Sequence, residues 1–116
     1  MSESADPRLL ALRDHCMAFG EGVTEEYPWG HPVWKVNGKM FAASSNDGSN
    51  VSVKATLEQQ SVLIQHRAIR VADYVGRHGW VSVTISDQET LDLTFDLIDE
   101  SFEMVTPKRR KTSKAD

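Results

Sequence analysis

An α+β two-layer sandwich, in which an antiparallel sheet is packed on one face by the N- and C-terminal helices, is predicted by three observations. Apolar residues recur at helical spacing near both ends of the chain: Leu9, Leu12, Cys16 and Phe19 in one stretch, Leu91, Phe95, Ile98, Phe102 and Val105 in the other. Between them, residues 22–54 change to a period of two, with β-branched and aromatic residues clustered between turn signals. A late alternating run, Trp80-Val81-Ser82-Val83-Thr84-Ile85, reads as a strand returning to the sheet. Helices at both ends of a mostly antiparallel sheet bury their apolar stripes on it, which gives two layers.

The first helix is signalled by Asp6-Pro7, an N-cap followed by proline at the first helical position, and stops at Gly20. Cys16 falls on its apolar stripe and reads as core, because no helix N-terminus or cationic partner is in view to lower its pKa. About four strands follow from Gly22 to Lys54. Val33-Trp34-Lys35-Val36 and Lys39-Met40-Phe41-Ala42 flank Asn37-Gly38, a pair that suits the type I′ turn of a tight hairpin. A polar loop from Ser44 to Asn50 then precedes Val51-Ser52-Val53-Lys54.

Thr56 and Gln59 form a capping box for a short second helix, with Leu57, Val62, Leu63 and Ile64 as its apolar contacts. The segment from His66 to His78 is less patterned, and Ala68, Ile69, Val71 and Ala72 read as a helical turn. The last helix starts at a capping box of Ser86 and Glu89 and ends at Pro107.

A chain of 116 residues supports one core, so residues 1–106 are expected to form a single domain and residues 107–116 a basic disordered tail. The formal charge of -4 conceals an asymmetry. The tail carries Lys108, Arg109, Arg110, Lys111 and Lys114 against Asp116, which leaves residues 1–106 with 8 basic and 16 acidic side chains. No apolar stretch is long enough to span a membrane and no leader-like segment is seen, so a cytoplasmic location is expected. The single cysteine excludes an internal disulfide.

No glycine-rich phosphate loop follows a strand, and no serine or histidine sits in a nucleophile context. The chain is therefore expected to be non-catalytic and to carry no cofactor. Glu21, Glu25 and Glu26 near the first strand and the acidic face of the last helix offer oxygen ligands for a hard cation, but they match no EF-hand or helical His/Glu spacing, so no metal site is expected and the helix face reads as solvated surface.

Two candidate sites remain. Tyr27-Pro28-Trp29-Gly30-His31-Pro32 is rigidified by two prolines and lies beside Trp34, so Trp29, His31, Trp34 and Trp80 are candidates for a pocket that takes a small ligand or a protein partner, with the acidic last helix as a second partner-facing surface. Lys35 and Lys39 flank the Asn37-Gly38 turn and, with Lys54 and the tail residues Lys108, Arg109, Arg110 and Lys111, are candidates for contact with nucleic-acid phosphates.

Five blocks also carry a resemblance. Pro28-Trp29-Gly30-x-Pro32, Lys35-Val36-x-Gly38-Lys39-Met40-Phe41-Ala42, Val51-Ser52-Val53-Lys54, Trp80-Val81-x-Val83 and Ser101-Phe102-x-x-Val105 resemble the MmcQ/YjbR family of small bacterial proteins, over nearly all of residues 7–106. The resemblance implies a fold similar to CyaY, the bacterial frataxin, and DNA binding through a double-wing arrangement of hairpins. On this chain the wings would be Val36-Asn37-Gly38-Lys39 and the loop from Ser44 to Asn50, with Asn37 at the tip of the first. For an acidic body to hold a duplex, Lys35, Lys39 and Lys54, with Arg67, Arg70 and Arg77, must share one face.

Overall fold

Asp6 accepts a hydrogen bond from the Arg8 amide at 2.8 Å, which caps helix α1 (Pro7–Met17). The structure is a computed structural model, and it describes residues 6–73 and 76–106; the basic tail expected at 107–116 lies outside them. Leu9, Leu12 and Cys16 are buried on the inner side of α1. Burial, helped by the nearby charges of Glu25 and Asp99, pushes the Cys16 thiol far above its ordinary range, so it is packing rather than nucleophile.

Strands β1 (Val23–Glu26), β2 (Val33–Val36), β3 (Lys39–Ser44) and β4 (Asn50–Val53) follow as an antiparallel meander. Asn37 at φ 52° and Gly38 at φ 82° supply the two left-handed residues of the type I′ turn between β2 and β3. Helix α2 (Leu57–Leu63) carries the expected Thr56/Gln59 capping box. Strands β5 (Ile69–Val71) and β6 (Val81–Thr84) come next, separated by a turn of 3₁₀ helix at Gly76–His78, and helix α3 (Gln88–Val105) closes the described chain. The sheet has six strands, all antiparallel, in the order β1-β2-β3-β4-β6-β5.

Three local expectations are corrected. Residues 69–71 form an edge strand rather than a helical turn: Ile69 pairs with Val83 and Val71 with Val81, so two β-branched residues take the pleated surface they favour. On α2 only Leu63 packs on the core, while Leu57, Val62 and Ile64 are exposed. The cap of α3 is Asp87 rather than Ser86, with Thr90 as its reciprocal partner, because the Thr90 hydroxyl accepts from the Ser86 and Asp87 amides at 2.9 and 3.0 Å.

The pleat divides the sheet into two chemically different faces. Val51, Val53, Val81 and Val83 point toward α1 and α3 and join Val23, Trp34, Val36, Phe41, Ala42 and Ile69 in one core. Asn50, Ser52, Ser82 and Thr84, at the intervening positions, face the other way. On α3 the buried residues are Thr90, Thr94, Leu97, Ile98 and Ser101, and the stripe residues Leu91, Phe95, Phe102 and Val105 flank them half-buried. Small hydroxylated residues at the closest approach let the helix lie directly on the strands.

A bulge explains one of those hydroxyls. Trp34 pairs with Ala42 and Lys35 with Met40, so Phe41 is the extra residue on β3 and turns inward beside Ala42. Its ring meets Phe19 and Phe102 edge-on at 5.7 and 5.2 Å, while those two stack at 4.0 Å. The Ser101 hydroxyl donates to the Phe41 carbonyl at 2.7 Å and accepts from the Lys54 amide at 3.0 Å. Replacing Ser101 with alanine strips both groups of their partner, and a loss of about 2 kcal/mol is expected in urea unfolding; an unchanged midpoint would remove Ser101 from this role.

Candidate functional site

Because both long helices pack on the valine face, the opposite face of the sheet is left without a helix among the described residues, and its centre is concave. The cavity has a volume of about 730 Å³. Its floor is built from Met40 and Ala43 of β3, Asn50 and Ser52 of β4, Ser82 of β6 and Arg70 of β5. Trp29 and His31 from the β1–β2 loop, Ser44 and Ser45 at the end of β3, and Asp73 and Trp80 from the segments around β5 and β6 form the rim.

The floor is hydrogen-bonded to itself. The Ser52 and Ser82 hydroxyls lie 2.8 Å apart across β4 and β6. Arg70 donates through Nη1 to the Thr84 hydroxyl at 2.8 Å and through Nη2 to Asn50 Oδ1 at 2.9 Å, and Thr84 in turn donates to the same Asn50 oxygen at 3.1 Å. The guanidinium is thereby aimed by two neutral acceptors, and among the described residues it makes no ion pair.

The rim is aromatic. Trp29 is 69 % exposed, and its ring touches the His31 ring at a centroid distance of 6.1 Å. The loop is held by Pro32, which is fully buried and accepts from the Ser44 amide at 3.0 Å. His31 Nδ1 is buried and has no hydrogen-bond partner among the described residues. Leaving such an atom unpaired costs about 1–3 kcal/mol. Trp80, on the far side, is held through its carbonyl by Gln60 Nε2 at 2.9 Å and the Ala72 amide at 3.2 Å.

Of the four aromatic pocket candidates, Trp29, His31 and Trp80 therefore meet on one cavity, and Trp34 does not. Trp34 is 0 % exposed and faces the helices, because the inward side of β2 runs through Trp34 and Val36. Its indole N–H donates to Glu25 Oε1 at 2.9 Å. The same carboxylate accepts from Arg13 Nε at 2.8 Å and from the Tyr27 hydroxyl at 2.7 Å. Burial raises the Glu25 pKa, but these three hydrogen bonds outweigh it and hold the group below the ordinary carboxylate range. His78 also lies off the cavity, exposed beside Arg77.

The cationic candidates lie elsewhere. Lys35 is engaged with Glu26 at 3.2 Å, Lys39 is exposed beside the Asn37-Gly38 turn, and Lys54 is half-buried just past β4. The strand register puts these lysines and Asn37 at one end of β2–β4, and the loop after Ser44 at the other. That second loop holds an anion: hydrogen bonds from the Ser49 hydroxyl, the Ser49 amide and the Ser45 hydroxyl push Asp47 down to about 2. Lys108, Arg109, Arg110 and Lys111 lie outside the described residues.

Arg70 is the cavity residue that sequence reasoning placed only as one of several body cations. The signal that could have found it is the shared period of Asn50, Ser52, Ser82 and Thr84, which marks an outward polar face next to the edge strand. Among the described residues, no group of three or more His, Cys, Asp or Glu side chains is placed to hold a metal ion, and no helix is long and apolar enough to cross a membrane.

Comparison with known proteins bears on the fold and the family. No curated protein matches the chain. Among solved structures, it is similar to the crystal structure of Deinococcus radiodurans protein DR2400, whose family-model domain is DUF419, with a TM-score of 0.73 and 25 % identity over 86 % of this chain and 79 % of that one. The YjbR family model matches residues 20–104, from the turn before β1 to the last turn of α3. That span takes in the whole sheet, the bulge and the Ser101 contact that seals it, and the chain belongs to the YjbR family.

Proposed function

We propose that the chain is a non-catalytic binding protein whose ligand sits in the cavity on the open face of the sheet. The observation that carries this reading is the convergence of an exposed tryptophan, a histidine and an aimed arginine on one 730 Å³ concavity. Its exposed surface is mainly apolar, with polar side chains set into floor and rim to orient a ligand, as in small-molecule sites. Binding is favoured over catalysis because the floor serines pair with each other rather than with a base.

DNA binding draws on Lys35, Lys39 and Lys54 and on the tail, and the geometry supports it less. One wing loop is flanked by lysines while the other carries the ionised Asp47, so the two loops present opposite charges to a phosphate backbone. A mixed-sequence duplex retained by the full chain at about 50 mM salt, and lost on deleting residues 107–116, would return the assignment to DNA.

Trp29→Ala tests the cavity. With the ring 69 % exposed, stability should change by no more than about 0.5 kcal/mol. Ring compounds found to bind the wild-type chain in a saturation-transfer NMR screen should weaken by roughly fivefold or more, the size of a lost stacking contact. Hits that persist undiminished in the variant would contradict the proposal.

A further inference from the structure

The geometry points to a ligand class: a small planar molecule bearing one carboxylate or phosphate, its ring on Trp29 and its anionic group on Arg70. This rests on the cavity reading above and narrows it. A guanidinium has five N–H donors, and Arg70 uses two of them on Thr84 and Asn50. The remaining donors belong to a planar fork whose orientation is already set, which is the arrangement that binds carboxylate or phosphate oxygens in pairs.

Among the described residues, no carboxylate pairs with Arg70, which leaves its charge available to an anion. Arg70 and Asp73 are the cavity's formally charged residues, and Asp73 is not within ion-pairing distance of Arg70. The other seven cations of residues 1–106 line no part of it. Among the described residues anion capture therefore falls to one side chain, and a ligand carrying several negative charges would meet a body of net charge -8 with little to offset it. Trp29 supplies a broad apolar surface that stacks on a ring.

Isothermal titration of the full chain with 1-naphthyl phosphate, 1-naphthoate and the neutral 1-naphthol tests this directly. At least one anion should bind about fivefold to tenfold more tightly than the alcohol, the size of a charge-assisted contact at a partly exposed site. The ratio between the two anions tells a phosphate ligand from a carboxylate one. Arg70→Gln should reduce the anion to the level of the alcohol and leave the alcohol unchanged. Arg70→Lys, which keeps the charge but loses the fork, should restore only part of the preference, and a preserved thermal midpoint shows that the edge strand stays in place.

Equal affinity of all three probes, or an anion preference that survives Arg70→Gln, would overturn the ligand class and leave the cavity reading standing. Absence of saturable binding by any of the three at millimolar concentration would overturn both.

Discussion

Replacing Gly79 with alanine is expected to destabilise the domain by about 3 kcal/mol or more, a fall in Tm of roughly 15 °C. Gly79 has φ +101°, a conformation that costs a side chain about 1–3 kcal/mol by itself. A Cβ there would also lie 2.1 Å from the Ala55 carbonyl oxygen and 3.0 Å from carbonyl carbons of Ala55 and Thr56. Those are backbone atoms, so relief requires moving the start of α2 or the start of β6. Either movement displaces Trp80 and one wall of the cavity. Gly22→Ala is the matched control, since its Cβ would make ordinary contacts at 3.5 and 3.6 Å. Thermal unfolding of the two variants should separate them widely, and similar midpoints would contradict the close approach of Gly79 to Ala55.

Glu25→Ala is the second large effect, about 2–4 kcal/mol. The substitution leaves the N–H of a fully buried Trp34 without an acceptor and takes the carboxylate from Arg13. It also predicts a pH dependence. The folded-state pKa of Glu25 is depressed, so its contribution is fully present above the ordinary carboxylate value of about 4.3 and is lost as pH falls through the lower folded value. Urea midpoints at pH 7 should therefore differ strongly between wild type and variant, and the difference should narrow toward pH 3. A gap that stays constant down to acid pH would show that packing, rather than the ionised carboxylate, carries the effect.

Glu25 also shows how far the sequence could be read. Period two placed β1 to β4 and β6 correctly, and helical spacing placed α1 and α3, because each of these elements has one face committed to the core. The stretch around β5 does not read as a strand in sequence, since Ile69 and Val71 are too few to display a period and acquire their strand character only by pairing with β6. Trp34 looked like its neighbour Trp29 in sequence. The two differ because the strand register turns one inward onto the helices, whereas the other sits in a loop outside any pairing. The candidate site was legible as a set of aromatic residues, but its floor was not. Arg70, Asn50 and Thr84 are 14 to 34 positions apart and meet only because β6 inserts between β4 and β5.

The same topology accounts for why one face is available at all. Both terminal helices are drawn to the valine side of β4 and β6, and the small residues Thr94 and Ser101 let α3 sit close against it. The polar side of those strands is left to the β1–β2 loop and the turn before β6, which supply tryptophans from opposite ends of the sheet.

Titration of the ¹⁵N-labelled chain with 1-naphthol, followed through the indole N–H signals of its three tryptophans, tests the placement of the site most directly. Trp29 lines the cavity and Trp34 lies across the sheet, bonded to Glu25, so the two report on opposite faces. The predicted result is a saturable shift of the Trp29 signal, with the amides of Ser52, Arg70 and Ser82 moving alongside it and Trp34 unmoved. Shifts confined to the helix side, to the Asn37-Gly38 turn or to α3, with Trp29 unchanged, would contradict a binding site on the open face of the sheet.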